Sequence, residues 1–371
     1  MTERADTRGG YDVVIVGGGV MGLATAVQLR ESGVERVCVV DRYQPGGGVS
    51  LLGGGGIRSQ FAQPVNVALT LRMLQIMAEW RDRDDVRSDF QANGYLYLST
   101  EPAHDELRAS IAEVVRGGGG SIERLTGADL ESVVPGMRMD GVRGGWYTAH
   151  DGTASPAAVL QSLLDLCERH GVDIVEGRDV AVDVRHERAR GVTAAEGGIA
   201  ADAVVVAAGM GSIPALSPAG WVPPIRNQRG QIFLTAPQHG LPVRLPLVFD
   251  MGTRGYFVSS RRGLIIGGAD REDAVFFDAS EPERTVGLLT HRLPGLRADQ
   301  VFVSEWGHRA ASPDDIGIVG AVPGTDGLYV ATGLGHHGFM HALPAAEILV
   351  ARMLGRHQML DDTALAPARF G

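Results

Sequence analysis

The sequence predicts an α/β protein in which a domain built on a parallel sheet is interleaved with an α+β domain built on an antiparallel sheet. Three observations predict it. Residues 12–16, DVVIV, form a continuous β-branched run with a glycine-rich turn and a helix directly after it, as expected of a strand covered on both faces. Similar runs recur as ADAVVVAAG at 201–209 and LYVATG at 328–333. Between these two, residues 223–270 alternate in GQIFLT, GYFVSS and GLIIGG, the pattern of an antiparallel sheet.

The elements follow in order. After GGGVMG at 17–22, LATAVQLRES reads as a helix that Gly33 closes, and VERVCVVD as a second strand ending at Asp41. A second glycine-dense loop, GGGVSLLGGGG, fills 46–56 and runs into Ile57 and Arg58. Leu69, Met73, Ile76 and Trp80 recur at helical spacing, which marks a buried helix face rather than a ligand wall. GYLYLST at 94–100 reads as a strand, and DELRASIAEVVR at 105–116 as a helix ended by the connector Gly117 to Gly120. Ser155 and Pro156 open a helix whose stripe is Leu160, Leu163, Leu164 and Cys167, stopped by Gly171. Short β runs over 173–209, a helix near 281–291, strands at 301–306 and 316–319 and a last helix ending near Gly355 complete the chain. The parallel-type units sit at both ends and in the middle. The expected division is therefore 10–66, 150–222 and 310–371 for the first domain, with 67–149 and 223–309 for the second.

Composition narrows the function. Glycine supplies 52 of 371 residues, about twice the usual ~7%. Lys+Arg of 34 against Asp+Glu of 44 leaves a net charge of −10, so there is no basic field for a nucleic-acid backbone. No run of 18 apolar residues exists to span a membrane. The polar start MTERADTRGG lacks the layout of a secretory signal, and a cytoplasmic location is expected. Cys38 and Cys167 both lie in apolar elements, too few and too far apart for a disulfide framework or a zinc site. No metal site is expected. Zinc-protease, serine-hydrolase and P-loop motifs do not occur.

Gly17, Gly19 and Gly22 fit G-x-G-x-x-G in the context that motif needs, after a strand and opening a helix at Val20 and Met21. The first glycine permits a tight turn, the second lets backbone approach a pyrophosphate, and the third packs helix on strand, with the helix N-terminus facing the phosphate charge. Asp41 follows Gly17 by 24 residues at the end of the second strand, where a carboxylate can accept from ribose hydroxyls. This Rossmann-like unit points to an adenine dinucleotide. The unit alone leaves NAD or FAD open. The second glycine loop, the AAG ending at 207–209 and the terminal strand–glycine–helix block lean toward the longer flavin dinucleotide.

Seven stretches in order carry a family likeness: YDVVIVGGGVMGLATAVQL, GGGGIRSQF, HDGTASP, ADAVVVAAG, GLIIGGADRED, SPDDIGIVG and LYVATGLGHHGFMHALPAAEIL. Together they resemble the D-amino-acid oxidase superfamily of FAD enzymes, nearest its glycine oxidase, sarcosine oxidase β subunit and L-proline dehydrogenase β subunit branch. The resemblance spans nearly the whole chain. It implies a Rossmann-like FAD-binding domain and a substrate domain whose antiparallel sheet roofs the flavin. The implied activity is that of an amine or amino-acid oxidase or dehydrogenase: oxidation of the C–N bond of a small amino or imino acid, such as glycine, sarcosine or proline, to an imine by hydride transfer to flavin N5, followed by hydrolysis. The electron acceptor is oxygen or a partner subunit. Two variants stay open, a flavin-bearing subunit of a multi-subunit amine dehydrogenase and a tailoring oxidase of a larger or carrier-bound amine.

By this resemblance Gly17, Gly19, Val20, Met21, Gly22, Asp41 and Arg42 serve the ADP end of the cofactor. Gly53, Gly54, Gly55 and Ile57 lie under the pyrophosphate and flavin, and Val180 and Gly209 form the middle segment. Gly335, His336, His337, Gly338, Phe339 and Met340 run along the isoalloxazine ring. Arg309, five residues before Asp314, matches the arginine that grips a substrate carboxylate, Tyr256 a tyrosine serving the same end, and Arg58 an active-site arginine. The chain also departs from the family. Gly307 stands where some members tether flavin through cysteine, and the 46–56 loop holds no histidine anchor, so non-covalent FAD is expected. Ile265 replaces a lysine that monomeric sarcosine oxidases use toward oxygen, which leaves the electron acceptor open, and Met340 replaces their second carboxylate-binding lysine, which puts more weight on Arg309 and Arg58.

The residue chemistry agrees without deciding. A bidentate arginine fixes a carboxylate and with it the direction of the α C–H bond. Arg309 could instead pair with Glu305 or Asp314, and Arg58 could make a flavin or structural bridge. His336 and His337, at a strand's carboxyl end, could bond the flavin, act on the amine proton, or be satisfied by backbone. Tyr256 could be simple packing on a half-buried strand, and His308 reads as a strand-end residue.

Overall fold

A computed structural model of the chain describes residues 10–370 except 238–243, 261–262, 269–279 and 357–359, with backbone alone at 303–306. The last residues of the GLIIGGADRED stretch therefore lie outside the described residues.

In chain order the elements are β1 (Tyr11–Val16), α1 (Val20–Glu31), β2 (Val37–Val40), β3 (Gly56–Ile57), α2 (Pro64–Arg81), β4 (Tyr95–Ser99), α3 (Pro102–Gly117), β5 (Glu123–Leu125) and α4 (Gly127–Val133). Then come β6 (Gly144–Thr148), β7 (Gly152–Thr153), α5 (Pro156–Arg169), β8 (Asp173–Val175), β9 (Ala181–Arg185), β10 (Arg188–Thr193), β11 (Ile199–Val206) and α6 (Ser212–Leu216). The remainder is β12 (Arg226–Thr235), β13 (Leu247–Asp250), β14 (Tyr256–Ser260), β15 (Gly263–Gly267), α7 (Glu281–Gly287), β16 (Val301–Ala311), β17 (Ile318–Ala321), β18 (Leu328–Thr332) and α8 (Gly338–Met353).

One sheet runs β17-β18-β11-β1-β2-β8, with β9 and β10 attached through β11. Its core pairs, β18 to β11, β11 to β1, β1 to β2 and β2 to β8, are parallel, as the β-branched runs require. Helices α1, α5 and α8 pack on one side of it. Val14, Val16, Val204 and Val206 turn to the other side, where α6 and the β9–β10 ribbon close a second cluster. The Met/Trp stripe of α2 is buried in the same core as α1 and α8, and Cys167 is fully buried there too. Ser155 caps α5 by accepting from Ala158 N at 3.2 Å.

The second sheet runs β16-β12-β15-β14-β13-β4-β6-β5 and is antiparallel except where β13 joins β4. Alternation gives it two unlike faces. Leu96, Leu98, Val248, Phe257, Leu264 and Ile266 bury one face under the 281–296 segment and α4. The helix near 281–291 is shorter than its sequence implies: α7 ends at Gly287, and Leu289, Leu293 and Leu296 reach this core from turns. Tyr95, Tyr97, Leu247 and Val258 cluster on the other face with Phe249, Tyr256 and Ile265. That second face looks toward the glycine loops of the parallel sheet. A two-stranded ladder, β3 with β7, ties the 53–57 loop to Gly152 and Thr153.

Candidate active site

At the start of α1 the chain is drawn into unusually close contact. Gly17 has φ +108°, and a Cβ there would lie 2.6 Å from Ala207 O; a Cβ on Gly22 would overlap the Gly17 carbonyl oxygen. Only glycine lets strand, turn and helix close this tightly. Gly19 caps α1 without a side chain and no acid occupies the first turn, so the helix N-terminus keeps its positive end for an anion. Val20 N donates to Ser50 Oγ at 3.2 Å, which brings the 46–56 loop over this end. The Met21 side chain is buried in the α1 core.

Asp41 accepts from Gly18 N at 2.6 Å and Tyr43 N at 2.8 Å, so its carboxylate braces the glycine turn from the end of β2. Arg42 reaches from there across Gly211, beside Gly209, whose carbonyl accepts from Thr332 Oγ1 at 3.2 Å. Val180 is buried just before β9. The groups expected at the ADP end therefore surround one end of the parallel sheet.

The second cluster forms where the 53–58 loop meets the antiparallel sheet. Gly54 faces Ile265, Gly55 O accepts from Ala154 N at 2.9 Å, and Ile57 is fully buried. Arg58 follows. Its Nη1 donates to Gln60 O at 2.9 Å, its Nη2 to His337 Nε2 at 3.2 Å, and its guanidinium lies 3.9 Å from the Phe61 ring centre. Phe61 also meets His337 edge-on at 4.6 Å.

Arg309 stands on β16 and lies across Gly230 of β12, where a side chain would exclude it. Its Nη1 donates to His336 Nδ1. Asp314 is taken by Arg369 at 2.9 Å, so it is not Arg309's partner; the Glu305 side chain lies outside the described residues. Cross-strand register places Arg309 with Gln228, Gly230 with Gly307, and Tyr256 with Gly267, all on the face that carries Tyr97 and Phe249. Tyr256 packs directly over Gly267. The structure thus joins Arg58 to His337 and Arg309 to His336, on two adjacent histidines, with Tyr256 on the sheet above. His308 meets Asn227 instead. Gly335 to His337 form a single tight turn before α8. Gly338 and half-buried Phe339 open that helix, while Met340 turns into the α1–α2 core, away from this group.

The histidines are electrically silent. His336 reaches solvent, yet desolvation at the site, with Arg309 and Arg58 next in weight, holds it below the ordinary value. Burial and Arg58 hold His337 well below the ordinary value, and push His341 down to about 3. At neutral pH each is neutral and can accept from a guanidinium. These two bonds assign the proton to Nε2 on His336 and to Nδ1 on His337. His341 Nε2 meets Thr70 Oγ1 at 3.0 Å.

Asp151 was not singled out among the candidate residues, although it lies in HDGTASP. Fully buried, it accepts from Ser59 N at 2.8 Å, Ser59 Oγ at 3.1 Å and Thr148 Oγ1. Burial pushes its carboxyl up to about 6 against these bonds and the Arg58 charge. Gln60 Nε2 donates to Tyr95 O and Trp146 O, both at 3.2 Å. Together they clamp the residues that follow Arg58.

A family profile described as DAO, FAD dependent oxidoreductase, matches residues 12–352. The chain belongs to this family. A glycine oxidase of Pseudomonas aeruginosa is 26% identical, over 96% of this chain and 98% of its own. A sarcosine oxidase subunit beta of Rhizobium meliloti is 27% identical, over 95% of this chain and 86% of its own. Among solved structures, an L-proline dehydrogenase from P. horikoshii superposes with a TM-score of 0.90 at 23% identity, covering 97% of this chain and 98% of that one, and shares the fold.

As a DAO oxidoreductase the chain uses FAD and acts on amino compounds. Its residues fit that cofactor: the side-chain-free approach at Gly17 and Gly22 suits a pyrophosphate, and Ser212 Oγ and Gln228 Oε1 are buried beside Gly211 and Gly335 without a hydrogen-bond partner. No helix among the described residues is long and apolar enough to cross a membrane.

Proposed function

We propose that the chain oxidises the C–N bond of a small amino or imino acid to an imine, which water then hydrolyses. The observation that carries this reading is the pairing of Arg58 and Arg309 with the adjacent neutral histidines His337 and His336, under the face that holds Tyr256. Two guanidiniums there suit a carboxylate, and their neutral histidine partners leave that charge uncompensated. FAD supplies a two-electron acceptor for the α C–H bond.

In this reading Arg309, with Tyr256, fixes the carboxylate and so the direction of the α C–H bond. Arg58 adds field and position. The amine nitrogen reacts as the free base, and no histidine serves as a strong base because all three are held below the ordinary value. Gly17, Gly19, Val20, Met21, Gly22, Asp41, Arg42, Val180 and Gly209 hold the ADP half. Gly53, Gly54, Gly55, Ile57 and Gly335 to Met340 flank the flavin. Residues 10–66, 150–222 and 310–371 make the FAD-binding unit, and 67–149 and 223–309 the substrate unit. FAD is held without a covalent link, since Gly307 offers no thiol.

The test is anaerobic bleaching of the purified flavoprotein with glycine, sarcosine, proline and D- and L-amino acids, followed by air and then an artificial acceptor. Bleaching by a small amino or imino acid supports the reading. A flavin that stays oxidised with all of them rejects it.

A further inference from the structure

Helix α3 buries Ile111, Ala112 and Val115 against its neighbours. Arg108 lies three, four and seven positions before them, on the same stripe. Its guanidinium carbon stands 3.5 Å from the centre of the Tyr97 ring. Tyr97 stacks on Tyr95 at 5.2 Å and meets Phe249 at 5.2 Å, on the sheet face that carries Tyr256 and Arg309.

Nε and Nη1 of Arg108 are sealed from solvent and make no hydrogen bond. No ion pair reaches it among the described residues. Asp105, one turn earlier on α3, is occupied by Arg124 at 2.9 Å and by Trp146 Nε1 at 3.2 Å. Arg108 is half-buried, with two of its three guanidinium nitrogens sealed and unpaired; an anion would satisfy them, whereas a ring face repays only part of their lost hydration. Burial weakens its hold on the proton, Tyr97 opposes this, and the positive charge of Arg58 adds to it. Arg108 thus lies within the field of Arg58, each cation resting on its own aromatic ring. The phosphates of the dinucleotide cannot be the missing anion, because the residues that suit them surround the α1 turn on the other sheet.

We propose that Arg108 binds a second anionic group of the substrate, so that the enzyme acts on an amino or imino dicarboxylate in preference to a simple amino acid. The inference rests on the proposed amino-acid reading and adds the substrate class. One carboxylate is fixed near the reacting carbon, and the other extends along the tyrosine wall to Arg108.

The holoenzyme is compared on glycine, sarcosine and proline against aspartate, glutamate and iminodiacetate by anaerobic flavin reduction. At least one dicarboxylate is expected to show about tenfold or greater kcat/KM over every monocarboxylate. In Arg108→Gln that preference falls about tenfold or more, chiefly through KM. A measurement without any variant uses unreactive acids: succinate or glutarate should compete about tenfold more tightly than acetate or propionate. Equal competition by mono- and dicarboxylates, or an equal loss on both substrate classes in Arg108→Gln, overturns the assignment and leaves the amino-acid reading intact. Reduction by none of the amines removes both.

Discussion

Arg58 and His337 stand 279 positions apart in the chain, yet Nη2 of the arginine donates to Nε2 of the histidine over 3.2 Å. The bond holds only while the imidazole is neutral, and burial beside that same cation keeps it so. Arg58→Lys removes the planar fork, the bond to Gln60 O and the stacking on Phe61 together. A fall of about 10- to 100-fold in the rate constant for flavin reduction, ~1.4–2.8 kcal/mol, is expected in stopped-flow traces. An unchanged rate would leave Arg58 a structural residue.

Arg309 is expected to act on binding more than on chemistry. It crosses Gly230 at the end of the substrate sheet and is oriented by His336. Arg309→Met keeps the length and loses the fork. KM for an amino-acid substrate should rise about tenfold or more, with a smaller change in kcat. If the substrate is a large or carrier-bound amine recognised elsewhere, KM will hardly move.

The tight glycine turn before α1 was legible because it is local. Backbone chemistry dictates glycine at Gly17 and Gly22, and strand, turn and helix are contiguous. The two-sheet architecture was legible too, since β-branched runs and alternating runs differ in period. The pairing of Arg58 with His337 and of Arg309 with His336 was not, because each joins different segments of the chain. Asp151 escaped for the same reason: its contact with Ser59 spans 92 residues. Arg108 left a readable trace, a cation in phase with Ile111 and Val115 on an otherwise apolar stripe.

Acid should weaken the fold steeply. His336, His337 and His341 have native values depressed below the ordinary 6.5, so their contribution is present above that pH and is lost as pH falls toward about 3. Asp151, raised from 3.8 to about 6, runs the other way and gains on protonation. The two less exposed histidines, His337 and His341, outweigh the one carboxyl. His336 is exposed and adds little; with His337 and His341 set against Asp151, the unfolded chain near pH 5 binds about one more proton, a slope of roughly 1–1.5 kcal/mol per pH unit. Urea unfolding of the holoenzyme between pH 7.5 and 5 measures it, and a flat profile contradicts the neutral histidines.

Gly22→Ala tests the cofactor cradle separately from the catalytic groups. The added methyl would overlap the Gly17 carbonyl, so α1 must move off the turn. Such overpacking costs ~1–3 kcal/mol, and FAD affinity should weaken about 10- to 100-fold. Fluorescence titration of the apoprotein with FAD gives the value. Affinity equal to the parent's would place the pyrophosphate elsewhere.

Asp151 separates the clamp from the groups it holds. Its carboxylate takes two donors from Ser59 and one from Thr148, next to Arg58 in the chain. Asp151→Ala leaves the two Ser59 donors buried without an acceptor, at ~1–3 kcal/mol each, while Thr148 Oγ1 keeps Tyr95 O at 3.3 Å; the cost is partly offset because no charge remains to be buried. Asp151→Asn keeps an acceptor oxygen for Ser59 and also removes the charge. The alanine variant is therefore expected to be destabilised by about 2 kcal/mol or more and to show a raised KM as Arg58 loosens. The asparagine variant should stay within about 1–2 kcal/mol of the parent and bind substrate nearly as well. If the asparagine variant binds as poorly as the alanine one, the charge of Asp151 acts on Arg58 directly, and the clamp is electrostatic rather than a matter of hydrogen-bond geometry.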